Sequence, residues 1–308
     1  MKNIAILGAS SQISRDYILW KSLHSNFQLY LFVRRPREMW NWVKRQGIAS
    51  KVRIEHYEDF GTHNEYFAII NFVGVGDPAR ALAMGADVLD LTHQYDSLAV
   101  EYLKLHSRCR YLFMSSGAAY GRCFEAPVSE ETCAGYYLNA LEQQDFYGMA
   151  KAYAECRHRA FDALPILDIR IFNYVSNTLD LNARFLLTDA FRAIRNGTVL
   201  ATSSERTVRD YIHSSDLCSL IDAALSAPPT NDVIDCYSRA PIDKFEMLKA
   251  LNVKHGLRYQ VSHLSRSLNP TGTKPYYYSL NRRAHRFGYQ PKLTSLGGIL
   301  MAASEILN

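Results

Sequence analysis

Short apolar runs punctuate the first half of the chain. Residues 4–7, 28–33, 52–57, 67–73, 88–91 and 111–114 are rich in Ile, Leu, Val, Phe and Tyr, and most are bounded by Gly, Asp, Ser or charged residues. Runs of this length and composition predict strands. Longer stretches of helical character separate them. Strands that are apolar almost throughout belong in a parallel sheet covered on both faces, because neither side of such a strand meets water. Right-handed crossovers then wind the sheet in two directions and open a ligand crevice at the carboxyl ends of its strands.

A helix over 146–163, closed by Pro165, leads into a further strand at 167–172. Beyond residue 175 the pattern becomes less regular. Helices are expected at 184–196, stopped at Gly197, at 215–227, stopped by Pro228 and Pro229, and at 296–307. The segment "SLNPTGTKPYYYSLNRRAHRFGYQP" is loop-rich and basic. The expected fold is therefore α/β, a Rossmann-type doubly wound parallel sheet over 1–174. A smaller C-terminal substrate-binding lobe follows over 175–308, with some segments returning to the sheet.

Composition narrows the partners. At 308 residues, 48% apolar and 21% charged, the chain has the make-up of a soluble globular protein. Its formal charge of +5 is mild, and the Lys and Arg residues are scattered. That argues against nucleic acid and fits a small anionic substrate. Six cysteines form no CxxC pair, which predicts reduced thiols in the cytoplasm and no metal site. No apolar run approaches the ~18 residues of a membrane span. The chain enters its first strand directly, so no targeting segment is expected.

Four stretches carry candidate chemistry. In "GASSQIS" a spacing of three links Gly8, Ser11 and Ser14. A glycine at the first position makes a tight strand-to-helix turn, and a small third residue lets the helix pack on the strand. Ser11 narrows the approach of a phosphate, yet its hydroxyl and that of Ser10 could donate to one at the helix N-terminus. In "YGMAKAYAE", Tyr147 and Lys151 are four apart on one helix face, and a nearby ammonium favours a phenolate, as general acid/base work requires. "YLFMSSGAAYG" brings Ser115 and Ser116 to a strand's carboxyl end, where a hydroxyl can meet a substrate oxygen. "RDYIHSSDL" offers Arg209, whose fork suits a diphosphate. Each has a plainer reading: surface pairing for Tyr and Lys, a serine-capped turn, an Arg–Asp salt bridge.

In their order along nearly the whole chain, these stretches, with "IRIFNYV" and "FGYQP", resemble the extended short-chain dehydrogenase/reductase family of NAD(P)-dependent nucleotide-sugar epimerases, dehydratases and reductases. The resemblance implies Tyr147 as catalytic acid/base, Lys151 as its partner and a ribose contact, and Ser116 as the hydroxyl that bonds the reacting oxygen. It implies Asn173 and Arg209 as contacts to a nucleotide-diphosphate sugar. It also implies Gly8, Ser10, Ser11, Gln12 and Ile13 as the dinucleotide turn, and Asp59 as an adenine contact. Where such proteins usually carry an acid at the end of the second strand, this chain has Arg34 and Arg35, which favours NADP over NAD.

The resemblance also guides the reaction. Gly117 and Ala118 stand where 4,6-dehydratases of the family place an Asp-Glu pair, so dehydration is disfavoured. Ala118 also replaces the Cys of the fucose-synthase type. A ketosugar reductase and a 4-epimerase remain, and the arginines favour the reductase. Lys274 stands where deoxysugar reductases carry an arginine. From another class, a catalytically silent NADP-sensing protein would fit the altered glycine pattern. A homodimer is expected from the resemblance. Tyr136-Tyr137 and Tyr276 to Tyr278 read as amphipathic packing before base or sugar stacking.

Overall fold

Alternate residues of the apolar runs go to opposite faces of one sheet. The computed structural model describes residues 2–62, 64–262 and 274–307. Its first strands and helices are β1 (Asn3–Leu7), α1 (Gln12–His24), β2 (Gln28–Phe32), α2 (Pro36–Arg45), β3 (Val52–Glu55) and β4 (Ala68–Asn71). They continue with α3 (Pro78–Met84), α4 (Asp87–Leu105), β5 (Arg110–Ser116), α5 (Gln143–Ala160) and β6 (Ile166–Ile171). Ile4, Ile6, Leu29 and Leu31 face one core with Tyr17, Ile18 and Val43, whereas Ala5, Leu7, Tyr30 and Phe32 face a second with Val100, Leu103 and Ala154. Two buried faces explain why these strands lack polar alternation.

The second half contributes β7 (Asn173–Val175), α6 (Leu186–Asn196), β8 (Val199–Ser203), β9 (Val208–Arg209), β10 (Tyr211–His213), α7 (Ser214–Ser226) and β11 (Asp232–Asp235). It closes with β12 (Ile242–Asp243), α8 (Lys244–His255), β13 (Arg258–Ser262), β14 (Tyr276–Tyr277) and α9 (Ser295–Leu307). The seven-stranded sheet runs β3-β2-β1-β4-β5-β6-β11, parallel throughout. Its order reverses between β1 and β4, and ligands bind doubly wound sheets at such a point. Small sheets, β7 with β10, β9 with β12 and β14, and β8 with β13, lie outside it. Helices α6, α8 and α9 share a third core around Phe191, Leu248 and Ile299.

One predicted strand is a helix. Residues 88–91 lie in the first turns of α4. Four apolar-rich residues fit either element. What decides is the continuation: Val88, Thr92, Tyr95, Asp96, Ala99, Val100 and Leu103 are buried at helical spacing. The helix expected at 146–163 is Gln143–Ala160. The first seven residues of the quoted tail segment, 267–273, lie outside the described residues. Among the described residues, no helix is long and apolar enough to cross a membrane.

Charges are buried where α4 and α5 meet the sheet. His158 of α5 touches Asp96 of α4 through Nε2 and Asp168 of β6 through Nδ1, both at 2.7 Å. Arg157 pairs with Asp96 and Arg159 with Asp168.

Candidate active site

The chain leaves β1 through Gly8 at φ +72°. A Cβ at this position would stand 2.8 Å from the Val73 nitrogen and 2.9 Å from the Phe72 carbonyl carbon. Only glycine lets β1 exit this close to the end of β4. Ser11 caps α1, its Oγ accepting the Ser14 N–H at 3.3 Å. A hydroxyl that accepts still has a proton to give. Ser10 is exposed, Ile13 packs on the core, and Gln12 Nε2 donates to Ser176 Oγ at 3.2 Å. Ser14 is fully buried, which suits close packing of helix on strand.

At the exits of β2 and β3, Arg34, Arg35 and Asp59 are all exposed. Arg35 pairs with Glu38 at 3.2 Å. The side chain that reaches the switch point is Tyr57, whose hydroxyl oxygen accepts the Gly8 N–H at 2.8 Å. Its ring lies 4.6 Å from that of Tyr95. Burial pushes the phenol up to about 12. A tyrosine closing an apolar run looks in sequence like any core residue, so nothing marked this one.

Three predicted residues converge at the carboxyl end of β5. Helix α5 starts in a capping box of Glu142 and Asp145. Arg122 holds Asp145 through bonds of 3.0 and 2.6 Å. Gly148, next to Tyr147, lets the helix lie against the turn after β5, since a Cβ there would come within 2.5 Å of the Ala118 oxygen. Ser116 caps that turn by accepting the Ala118 N–H at 3.1 Å, so the capping reading holds, and the cap leaves the hydroxyl proton free for other work. Burial raises the Tyr147 phenol, and a side-chain hydrogen bond with Ser116 opposes the rise.

Lys151 is 2% exposed and donates to the Met114 carbonyl at 2.9 Å and to Val73 O at 3.5 Å. Burial brings its ammonium down to about 8, against the pull of Asp96, Glu155 and Asp168. The expected depression of the tyrosine by this lysine is thus not its state here, where burial dominates. Glu155, a further four residues along α5, accepts Ser115 Oγ at 2.5 Å and Arg170 from β6. The serine pair therefore divides its work: Ser115 fastens strand to helix, and Ser116 faces the tyrosine.

The substrate-side candidates are held differently. Asn173 Nδ2 donates to the Asp210 carbonyl at 3.0 Å, joining the start of β7 to the residue before β10. Arg209 donates to backbone carbonyls of Val208, Lys274 and Pro275 in place of the salt bridge with Asp210, which instead binds Ser238 N and Ser295 Oγ. Lys274 stands 4.8 Å from the centre of the Tyr277 ring. Burial first, and then Arg209, brings Lys274 down to about 8 despite Asp145. Two adjacent, partly buried cations suit an anionic group. Tyr277 reaches Ser116, its hydroxyl 3.4 Å from Oγ, and sequence alone assigned it to packing.

These residues fit a dinucleotide. The Gly8 turn opens the switch point, and α1 presents its N-terminus there. A Cβ on Gly74 would stand 3.3 Å from Lys151 Nζ, so the missing side chain leaves room beside the ammonium. Among the described residues, no group of three or more His, Cys, Asp or Glu is arranged to hold a metal ion.

Residues 7–236 match the model of a family described as "NAD dependent epimerase/dehydratase family". No curated protein sequence matches the chain. Among solved structures, it is similar to UDP-glucose 4-epimerase from Bifidobacterium longum in complex with NAD+ and UDP, with a TM-score of 0.75 and 19% identity over 99% of this chain and 97% of that one. UDP-glucose-4-epimerase from Stenotrophomonas maltophila, with bound NAD and formylated UDP-arabinopyranose, has a TM-score of 0.82 at 14% identity, over 99% and 98%. The dTDP-glucose 4,6-dehydratase from Bacillus anthracis, in complex with NAD, has a TM-score of 0.78 at 16%, over 99% and 96%. At these identities the likeness establishes the fold.

Proposed function

The chain belongs to the NAD dependent epimerase/dehydratase family, and on that premise we propose that it transfers hydride between a nicotinamide dinucleotide and a sugar carbon of a nucleotide-diphosphate sugar. The convergence of Ser116, Tyr147 and Lys151 at the end of β5 carries this reading. When bound, the nicotinamide ring supplies the carbon that takes or gives the hydride. The Gly8–Ile13 turn, Arg34, Arg35, Asp59 and Lys151 would hold the dinucleotide. Tyr147 moves the proton of the reacting hydroxyl, and Ser116 orients that oxygen. Arg209 and Asn173 face the nucleotide diphosphate and the sugar, with Lys274 beside Arg209.

Ketosugar reduction with NADPH is the preferred form of this reaction. Arg34 and Arg35 at the exit of β2 support it, because a guanidinium there accommodates a 2′-phosphate. A 4-epimerase needs the same hydroxyls and differs in returning hydride to the same sugar. An intact Ser116, Tyr147 and Lys151 set argues against a silent sensor. A cytoplasmic setting is supported by six free thiols. The outer faces of α4 and α5, where exposed Tyr153 lies 5.8 Å from His93, are the surface proposed for a homodimer.

Mass spectrometry of the small molecule retained through purification tests the assignment. Retained NADP together with turnover of a nucleotide-ketosugar by NADPH supports the reductase. Tightly retained NAD with interconversion of two sugar epimers replaces it with the epimerase. If Tyr147→Phe turns over every nucleotide-sugar as well as the wild type does, the assignment is wrong.

A further inference from the structure

The C-terminal segment sends one side chain to the reaction centre. β14 pairs in parallel with β9, opposing Tyr277 to Arg209 and Tyr276 to Val208. The Tyr276 N–H donates to the Phe124 carbonyl, and the Val128 N–H to that of Tyr278. Ser279 Oγ binds Asp235 at 2.5 Å, at the end of β11. Bonds on both sides therefore fix the backbone of Tyr277. Its ring is walled in by Phe124 at 4.8 Å and Phe172 at 5.2 Å, with Lys274 over its face. The hydroxyl that emerges from this aromatic box lies 3.4 Å from Ser116 Oγ.

Ser116 can make few bonds, which makes this contact consequential. A serine hydroxyl has one proton and two lone pairs. The Ala118 N–H takes one lone pair, at 3.1 Å. Burial, ahead of every other influence, raises the Tyr277 phenol, so it keeps its proton and can donate it. If Tyr277 fills the second lone pair, the only proton of Ser116 stays free for its other side-chain partner, the Tyr147 hydroxyl. The 3.4 Å separation is long for an O–H···O bond, and catalytic contacts commonly shorten only with substrate in place.

We propose that Tyr277 is a positioning residue that sets the direction of the Ser116 proton, so that the serine donates to the reacting oxygen beside Tyr147. The role rests on the hydride-transfer reading given above. It requires no contact between Tyr277 and the cofactor.

Tyr277→Phe retains the ring in its aromatic box and removes only the hydroxyl. In the enzyme with its nucleotide-sugar, kcat is expected to fall about fivefold to tenfold, the worth of one ordinary hydrogen bond. KM and the affinity for the dinucleotide should stay within twofold, roughly the scatter of a change that removes no binding contact. In a Ser116→Ala background the same change should cost nothing further, because its effect passes through the serine. Equal costs in both backgrounds, or no cost in either, overturn the proposal. Neutron diffraction from crystals of the wild type and of Tyr277→Phe supplies a readout independent of turnover. The Ser116 hydroxyl hydrogen is expected to point to Tyr147 in the wild type and to leave that direction in the variant, and the same direction in both overturns the proposal even if no nucleotide-sugar is ever turned over. Absence of turnover by the wild type alone counts against the hydride-transfer reading.

Discussion

The Lys151 ammonium donates to the carbonyl oxygen of Met114 at 2.9 Å, two residues before Ser116 on the same strand. This ammonium is thus held by backbone carbonyls within a buried layer, and burial already disfavours its charge. Lys151→Met keeps an apolar stem there and removes the ammonium. Melting followed by circular dichroism should show stability maintained or raised, while turnover drops by about 10²-fold or more. A less stable variant with full activity would mean the lysine is structural.

Tyr147→Phe isolates the proton. The substitution is nearly isosteric and the hydroxyl lies at the site, so the melting temperature should move little. The rate of the chemical step should fall by about 10²–10⁴-fold, the usual worth of a positioned acid/base. Single-turnover absorbance of the reduced nicotinamide would separate this loss from any change in binding.

The turn after β1 separates shape from chemistry. Gly8→Ala puts a methyl group within 2.9 Å of backbone at a positive φ, so a loss of about 1–3 kcal/mol in urea unfolding is expected. Ser11→Gly removes an N-cap side chain and should cost only a few tenths of a kcal/mol, because glycine is itself tolerated there. The same change opens the approach to the α1 N-terminus, and calorimetric titration should find dinucleotide bound more tightly. Weaker binding would show that the serine hydroxyl contributes more than its bulk costs.

His158 predicts a pH dependence of stability. Burial lowers its pKa, but Asp168 and Asp96 outweigh burial and raise it from 6.5 to about 9. A folded-state pKa above the unfolded one stabilises fully below about 6.5, and this stabilisation disappears as pH rises through about 9. The contribution is on the order of 3 kcal/mol at its largest. Denaturant unfolding of the wild type and His158→Gln at pH 6 and pH 9.5 should give a gap that narrows with pH. A gap that is constant across the range would place the histidine's contribution in packing.

Arg34 should govern cofactor choice. It is exposed at the exit of β2, while its neighbour Arg35 is drawn to Glu38. Arg34→Ala is expected to weaken NADP by about tenfold, one charge-assisted hydrogen bond, with NAD changed little. Equal losses for both dinucleotides would assign Arg34 to the shared diphosphate.

The sheet was legible because its signal is local: residues two apart share a face, and two cores claim alternate positions of the same strand. Residues 88–91 misled because one helical turn of apolar residues looks the same as a short strand until Tyr95 and Ala99 extend the spacing. The placing of Ser116 at a strand end and of Tyr147 and Lys151 on one helix was legible because each is read within a few residues, whereas their proposed roles came from the order of motifs along the chain. Tyr277 was not, since its approach to Ser116 depends on the pairing of β14 with β9 and on the Ser279–Asp235 bond, both remote in sequence. Tyr57 escaped notice for a similar reason: a phenol meeting the Gly8 amide depends on how β1, β2 and β3 line up side by side.

The position of Tyr277 and Lys274 along the chain also orders how the protein acquires its properties during synthesis. All seven strands of the sheet, with the turn at Gly8 and the tyrosine and lysine of α5, have been made once Asp235 has been added. Lys274 and Tyr277, which fill the space against Phe124 and Phe172, are translated only later. On the proposed function, the groups that would hold the dinucleotide are therefore all made before the two side chains that would close on the sugar side.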